Sequence, residues 1–408
     1  MQAEDGKSSL RDLLGKGEEE LSPGPEERQV QRFYLSDTQE QFPAAPHSWL
    51  CDGTLLRLSD PKNPLNLGLF NLVWKRSQPV IIAGIGDNLD KKIWSVETLS
   101  GLPDHYYDPA TPETSAISHG QSIKKFLEGF DAISKRPTAD NGDPLTLKFR
   151  ENWPSQEDHF VELLPTQFKD LMKCLPLPDY TTREGRLNLA SRLPECFVRL
   201  DLGPRLWGGY SKATFNLQYN VADAVHVMVA RGEAKDLKGD LADVLKAADV
   251  DEESAKIALE KPAAVGAIWH IFHPTQADTI KDFVMKNTKV ESKNKPKDPL
   301  WVGHMYLKDR LLDKLEIETG IKPWTFVQSL GEGVVVPTGS PFQVKVLNSS
   351  LFCQSEFVSS EQMHQVMKLS FTDVGQQFDD RLQVKNVVFH SCKDALSILE
   401  RPEKEEDT

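Results

Sequence analysis

Two stretches decide the fold: Phe215-Asn-Leu-Gln218-Tyr-Asn220-Val-Ala-Asp223-Ala-Val-His226-Val-Met-Val229 and Leu330-Gly-Glu-Gly-Val-Val-Val-Pro337-Thr-Gly339-Ser-Pro-Phe342-Gln-Val-Lys345. Each is a pair of short β-branched and aromatic runs broken by Gly, Pro, Asn or Asp, the pattern of strands joined by tight connections. The same pattern fills most of the chain from about 213 onward, in ATFNLQYN, AVHVMVA, AIWHIFH, PWTFVQSL, EGVVVPTG, FQVKVLN and LFCQSEF. Helical pieces interrupt it. A charged insert over 233–260 carries Leu237, Leu241, Val244 and Leu245 on one face, and further helices are expected near 276–287 and 308–318. Many short strands with scattered helices predict a mainly β barrel or sandwich with helical decoration.

Upstream, Gln78-Pro-Val-Ile-Ile-Ala-Gly84 reads as a buried strand, and Phe126, Leu127 and Phe130 recur at helical spacing. Residues 1–45 are polar and rich in Glu and Pro, the composition of a flexible leader. Within it Leu10, Leu13 and Leu14 form an LxxLL on one face of a short helix, either a segment that docks in a partner's groove or a chance leucine cluster. The expected organisation is a leader (1–45), a mixed α/β region (46–155), a barrel domain (156–375), a C-terminal helical segment (376–400) and an acidic tail (401–408).

The 408 residues are 39% hydrophobic and 27% charged, with a net charge of −13. That is a globular composition, and its charge argues against electrostatic binding of naked nucleic acid while suiting basic protein tails. Cys51, Cys174, Cys196, Cys353 and Cys392 are scattered with no C-x-x-C pair, which argues against a disulfide scaffold or a structural zinc site. No apolar run approaches a membrane span, and the N-terminus has no signal-peptide core.

The two opening stretches resemble the ligand-bearing strands of JmjC (jumonji C) oxygenases. HSWLCDG (47–53), LPLPDYT (175–181), LNLASRLPECFVRLDLGPRL (187–206), WHIF (269–272), FVSSEQM (357–363) and LQVKNVVFH (382–390) resemble segments of the histone H3 lysine 9 demethylase and hairless group, in order from about 46 to 398. The resemblance implies a double-stranded β-helix, a nuclear location and partners among histone H3 tails and, through Leu10, Leu13 and Leu14, transcription regulators. Active members hold Fe(II) with two histidines and a carboxylate, bind 2-oxoglutarate, and demethylate mono- or dimethyl-lysine.

At the positions that match those ligands this chain has Gln218, Asn220 and Phe342. Two neutral amides and a phenyl ring are poor donors for Fe(II). Where the group commonly has a Thr and an Asn that steady 2-oxoglutarate, this chain has Phe215 and Val346. These substitutions lead to the expectation of a chromatin regulator that is no enzyme and needs no cofactor. The alternative is an active demethylase with a divergent metal site, and a third reading is a relic with no role beyond folding. His226 lies where relatives commonly carry Asn and is a candidate ligand; His270 and His273 read as structural, and Asp223 as a strand-end residue.

Overall fold

The computed structural model describes residues 29–400 apart from 102–105, 108, 111–120, 150–152, 154–158, 233–238, 289–297 and 371–381. The Leu10, Leu13 and Leu14 motif and Leu237 lie outside the described residues. A seven-residue helix over Leu35–Gln41 comes first, inside the 1–45 stretch expected as a flexible leader. Three short strands follow: β1 (His47–Leu50), β2 (Leu55–Leu58) and β3 (Val80–Ile82), with helix α1 (Asn66–Trp74) between the last two. The β1–β2 turn needs a glycine. Gly53 has φ +79°, and a Cβ there would sit 2.4 Å from the Phe33 carbonyl oxygen.

Eight strands of four to nine residues form the barrel: β4 (Arg205–Gly209), β5 (Thr214–Gln218), β6 (Asp223–Arg231), β7 (Val265–Ile271), β8 (Trp324–Ser329), β9 (Gly333–Val336), β10 (Phe342–Val346) and β11 (Ser350–Phe357). The larger sheet runs β1-β2-β3-β9-β6-β11-β4 and continues into Lys148–Phe149 and Pro109–Ala110. The smaller runs β8-β7-β10-β5. Pairing is antiparallel throughout these sheets except between β2 and β3. The order comes from sequence-distant strands meeting, as in a jelly roll, and the expected mainly β fold with helical decoration is what forms.

The sheets face each other across one apolar core that includes Trp207, Trp269, Phe326, Phe342 and Phe352. Fully burying one such ring contributes about 1.5–3 kcal/mol. Outside the smaller sheet lie α2 (Leu241–Ala247) and α3 (Glu252–Glu260), whose Leu241, Leu245 and Ala258 pack on Val265, Ile268 and Val327. Asp240 and Asp251 cap them by accepting the amide protons of Ala242 and Ser254. The expected single insert is therefore two capped helices. Between β7 and β8 come α4 (Ala277–Asn287) and α5 (Asp309–Thr319), and α6 (Val384–Leu399) follows the barrel. No helix among the described residues is long and apolar enough to cross a membrane.

A buried carboxylate joins the parts. Asp223 opens β6 fully buried, and its Oδ1 accepts the Thr338 amide (2.9 Å) and hydroxyl (2.8 Å). Its Oδ2 accepts the Ser359 amide (3.0 Å) and hydroxyl (2.6 Å). The Ser359 hydroxyl in turn accepts the indole N–H of Trp74 on α1 at 3.1 Å. Gly339 donates to the Asn220 carbonyl at 2.9 Å, so both sides of the turn that delivers Phe342 are fastened. Burial raises the Asp223 pKa to about 6, with the four donors pulling the other way. An amide in place of the carboxylate has one accepting oxygen and must leave a backbone N–H unpaired. Asp223→Asn is expected to cost about 1–3 kcal/mol in urea unfolding. Because the folded pKa lies above the unfolded one, this group's contribution is full below about pH 4 and is lost as pH rises through about 6. The stability gap between wild type and variant should shrink over that window, and a gap that widens would contradict the assignment.

Candidate active-site barrel

Cross-strand register puts two of the three ligand-matched positions together, while Asn220 lies past the end of β5. Phe342 pairs with Gln218, and Val344 pairs with Phe215, so two steps on β10 span three on β5. The extra residue is a β-bulge. Phe342 and Val344 share a face, and directly opposed residues do too, so Gln218 and Phe215 both look into the barrel although they are three apart. Period-two alternation alone would have set them on opposite faces.

Phe342 is 2% exposed and lies 5.6 Å, centroid to centroid, from both Trp269 and His226. Phe215 meets Trp207 edge-on at 4.7 Å, and the Lys148 ammonium sits 5.3 Å from its ring. Val346 is fully buried opposite Ala267. Gln218 is half-buried, and a Cβ on Gly303 would lie 3.5 Å from its Oε1. The side-chain nitrogen of Asn220 is buried with no protein partner. The same is true of both ring nitrogens of His226, which sits among Trp207, Trp269 and Phe342. Desolvation pushes its pKa down to about 3, so the ring is neutral.

The other histidines have structural surroundings. His270 lies on the adjacent register position, edge-on to Tyr306 at 6.5 Å, and burial lowers its pKa to about 4. The strand ends at Ile271, so His273, expected on that strand, lies beyond it. His273 Nε2 is 2.8 Å from the Arg76 carbonyl oxygen and its Nδ1 is 2.7 Å from Thr275 Oγ1, capping the Pro274–Gln276 turn.

Sequence reasoning missed two groups. Gln328 accepts the Trp269 indole N–H at 2.8 Å and donates to the His226 and Glu332 carbonyls, linking the two sheets through a satisfied polar bridge. Lys148 donates to the Thr214 carbonyl at 2.5 Å, and burial lowers its pKa. The Gln in FVQSL is a polar residue in an apolar strand, a signal in plain view. Lys148 carries no such signal.

A facial triad does not fit these residues. Gln218 and Asn220 offer neutral amide groups, Phe342 offers no lone pair, and the described residues hold no group of three His, Cys, Asp or Glu suited to a metal. His226 is the imidazole that faces this space with both nitrogens free of protein partners.

Comparison with known proteins places this scaffold. Residues 263–357 match the family described as JmjC domain, hydroxylase, so the chain carries a JmjC domain. It is 37% identical over 377 residues to Lysine-specific demethylase 3A-A of Xenopus laevis and 36% identical over 377 residues to Lysine-specific demethylase 3A of Homo sapiens. Each alignment takes in 88% of this chain and 28% of the relative. Lysine-specific demethylase 3 of Drosophila melanogaster is 36% identical over 380 residues, 44% of its length. The chain thus spans less than half the length of these relatives.

Two expectations are corrected by these matches. The reading as no enzyme is overturned, since relatives at 36–37% identity over most of the chain are named demethylases and the matched domain is described as a hydroxylase. The reading that no cofactor is needed falls with it: Fe(II) and 2-oxoglutarate are the cofactors to expect of that domain. Gln218, Asn220 and Phe342 misled because they speak to how a metal is held, whereas the remainder of the chain speaks to the scaffold.

The unpaired imidazole gives a direct test. If nothing but protein surrounds His226, His226→Phe removes two unsatisfied polar atoms and should raise unfolding stability by about 1 kcal/mol. A loss of that size in urea unfolding instead shows that a bound group satisfies the ring.

Proposed function

We propose that the chain is the JmjC module of a nuclear chromatin regulator that acts on methylated lysine 9 of the histone H3 tail. In this reading it uses Fe(II) and 2-oxoglutarate with a metal arrangement that departs from the facial triad. The observation that carries the reading is the collinear identity to lysine-specific demethylases over 377 residues. The two-sheet barrel and its inward row of Phe215, Gln218 and Phe342 support it as the scaffold. A net charge of −13 suits a basic tail as partner and disfavours direct nucleic-acid binding. Transcription-regulator partners would dock through Leu10, Leu13 and Leu14, a reading that rests on the motif alone.

The test is release of formaldehyde from a dimethyl-lysine 9 peptide in the presence of Fe(II) and 2-oxoglutarate. The expected result is chelator-sensitive turnover above a heat-treated control. Its rate should lie about 10–100-fold or more below that of a relative with an intact triad, because Phe215 and Val346 leave 2-oxoglutarate poorly supported. Folded protein that releases no formaldehyde under these conditions sinks the enzymatic reading.

A further inference from the structure

Off the edge of the smaller sheet lies a cleft of about 850 Å³, formed by residues 30–35, the β1–β2 turn, the start of β8 and the first turn of α3. One wall is aromatic. Phe33 stacks on Trp49 with centroids 4.8 Å apart, Tyr34 is 58% exposed, and Trp324 is anchored by its indole N–H to Thr54 Oγ1 at 2.9 Å. Around these rings stand five carboxylates, Asp52, Asp249, Asp251, Glu252 and Glu253, against two cations, Arg32 and Lys322.

The internal pairs do not exhaust that charge. Arg32 meets Asp52 at 3.2 Å, and Lys322 meets Asp249 at 2.8 Å. Asp251 is committed to the amide protons of Cys51 and Ser254. Glu252 and Glu253 are exposed on the first turn of α3, and Glu253 has the exposed Lys256 ammonium 3.8 Å away. The aromatic wall already takes a cation, since the Arg32 guanidinium lies 5.6 Å from the Tyr34 ring centroid. Aromatic faces beside surplus carboxylates favour lysine and arginine side chains, through cation–π attraction and charge. An anionic ligand would be repelled, and an apolar helix would bury carboxylates without partners.

We propose that this cleft docks a lysine- and arginine-rich segment of a partner protein, its cationic side chains lying against Tyr34 and the Phe33–Trp49 pair among the carboxylates. The register fixes where the cleft lies. Trp324 pairs with Ile271, Ile271 with Phe342, and Phe342 with Gln218. Three strand spacings make roughly 14 Å, about four residues of extended chain, between the cleft and Gln218. The docking itself depends on no turnover in the barrel and stands apart from the demethylase reading.

The probe is a fluorescent, unmethylated 12-residue peptide rich in Lys and Arg, titrated into the full chain by anisotropy. Binding should weaken as salt rises, and an acidic peptide of equal length should not bind. The D52N/E252Q/E253Q variant changes exposed side chains and should weaken binding about tenfold, and Tyr34→Ala should weaken it several-fold. Glu97→Gln with Glu260→Gln, in a different cleft, should leave it unchanged. Absence of binding, equal binding of the acidic peptide, or wild-type affinity in D52N/E252Q/E253Q would overturn the proposal; the last places the basic peptide elsewhere on the chain.

Discussion

The Asp223 carboxylate is the constraint on which the barrel's working end depends. A buried charge without partners is costly, so its four donors must be where they are, and they come from Thr338 and Ser359, 115 and 136 residues further along the chain. The consequence is positional. The Pro337–Ser340 turn is fixed against the start of β6, Phe342 enters β10 in one register, and that register sets which residues of β5 face inward. Through Ser359 the same network reaches Trp74 and ties α1 to the barrel.

On that frame the interior has become aromatic while keeping polar atoms that have no protein partner. Phe342 and Phe215 are packed against Trp269 and Trp207, yet His226 and the Asn220 amide nitrogen are left unpaired in the protein. The donor set departs from that of a JmjC hydroxylase, while the scaffold and the relatives agree with one. The chemistry therefore turns on what, besides protein, meets these unpaired atoms.

Much of this was legible in the sequence. The runs around Gln218, His226 and Phe342 announce strands because their β-branched residues are bounded by turn-formers, and the strands form there. The shared face of Phe215 and Gln218 was not legible from alternation, since a bulge is a property of two strands in register and leaves no mark in one. The leucines of the 233–260 insert keep helical spacing and suggest one helical segment, while Asp240 and Asp251 start two helices. The acidic aromatic cleft was invisible, as its parts come from five segments separated by up to about 290 residues. Gln218, Asn220 and Phe342 point to an inactive protein because they report on metal ligation alone, whereas the identity to named demethylases runs over 377 residues.

The most direct test of the account is whether positions 218 and 342 face each other across the inner wall. Directly opposed residues of an antiparallel pair have Cα atoms about 4.5–5.5 Å apart, within the range a disulfide spans. In a Gln218→Cys/Phe342→Cys double variant, mild oxidation followed by peptide mass spectrometry should recover the 218–342 cross-link as the main new species. Recovery of cross-links only to Cys353 or other native cysteines, with none between 218 and 342, would contradict the register and the site built on it.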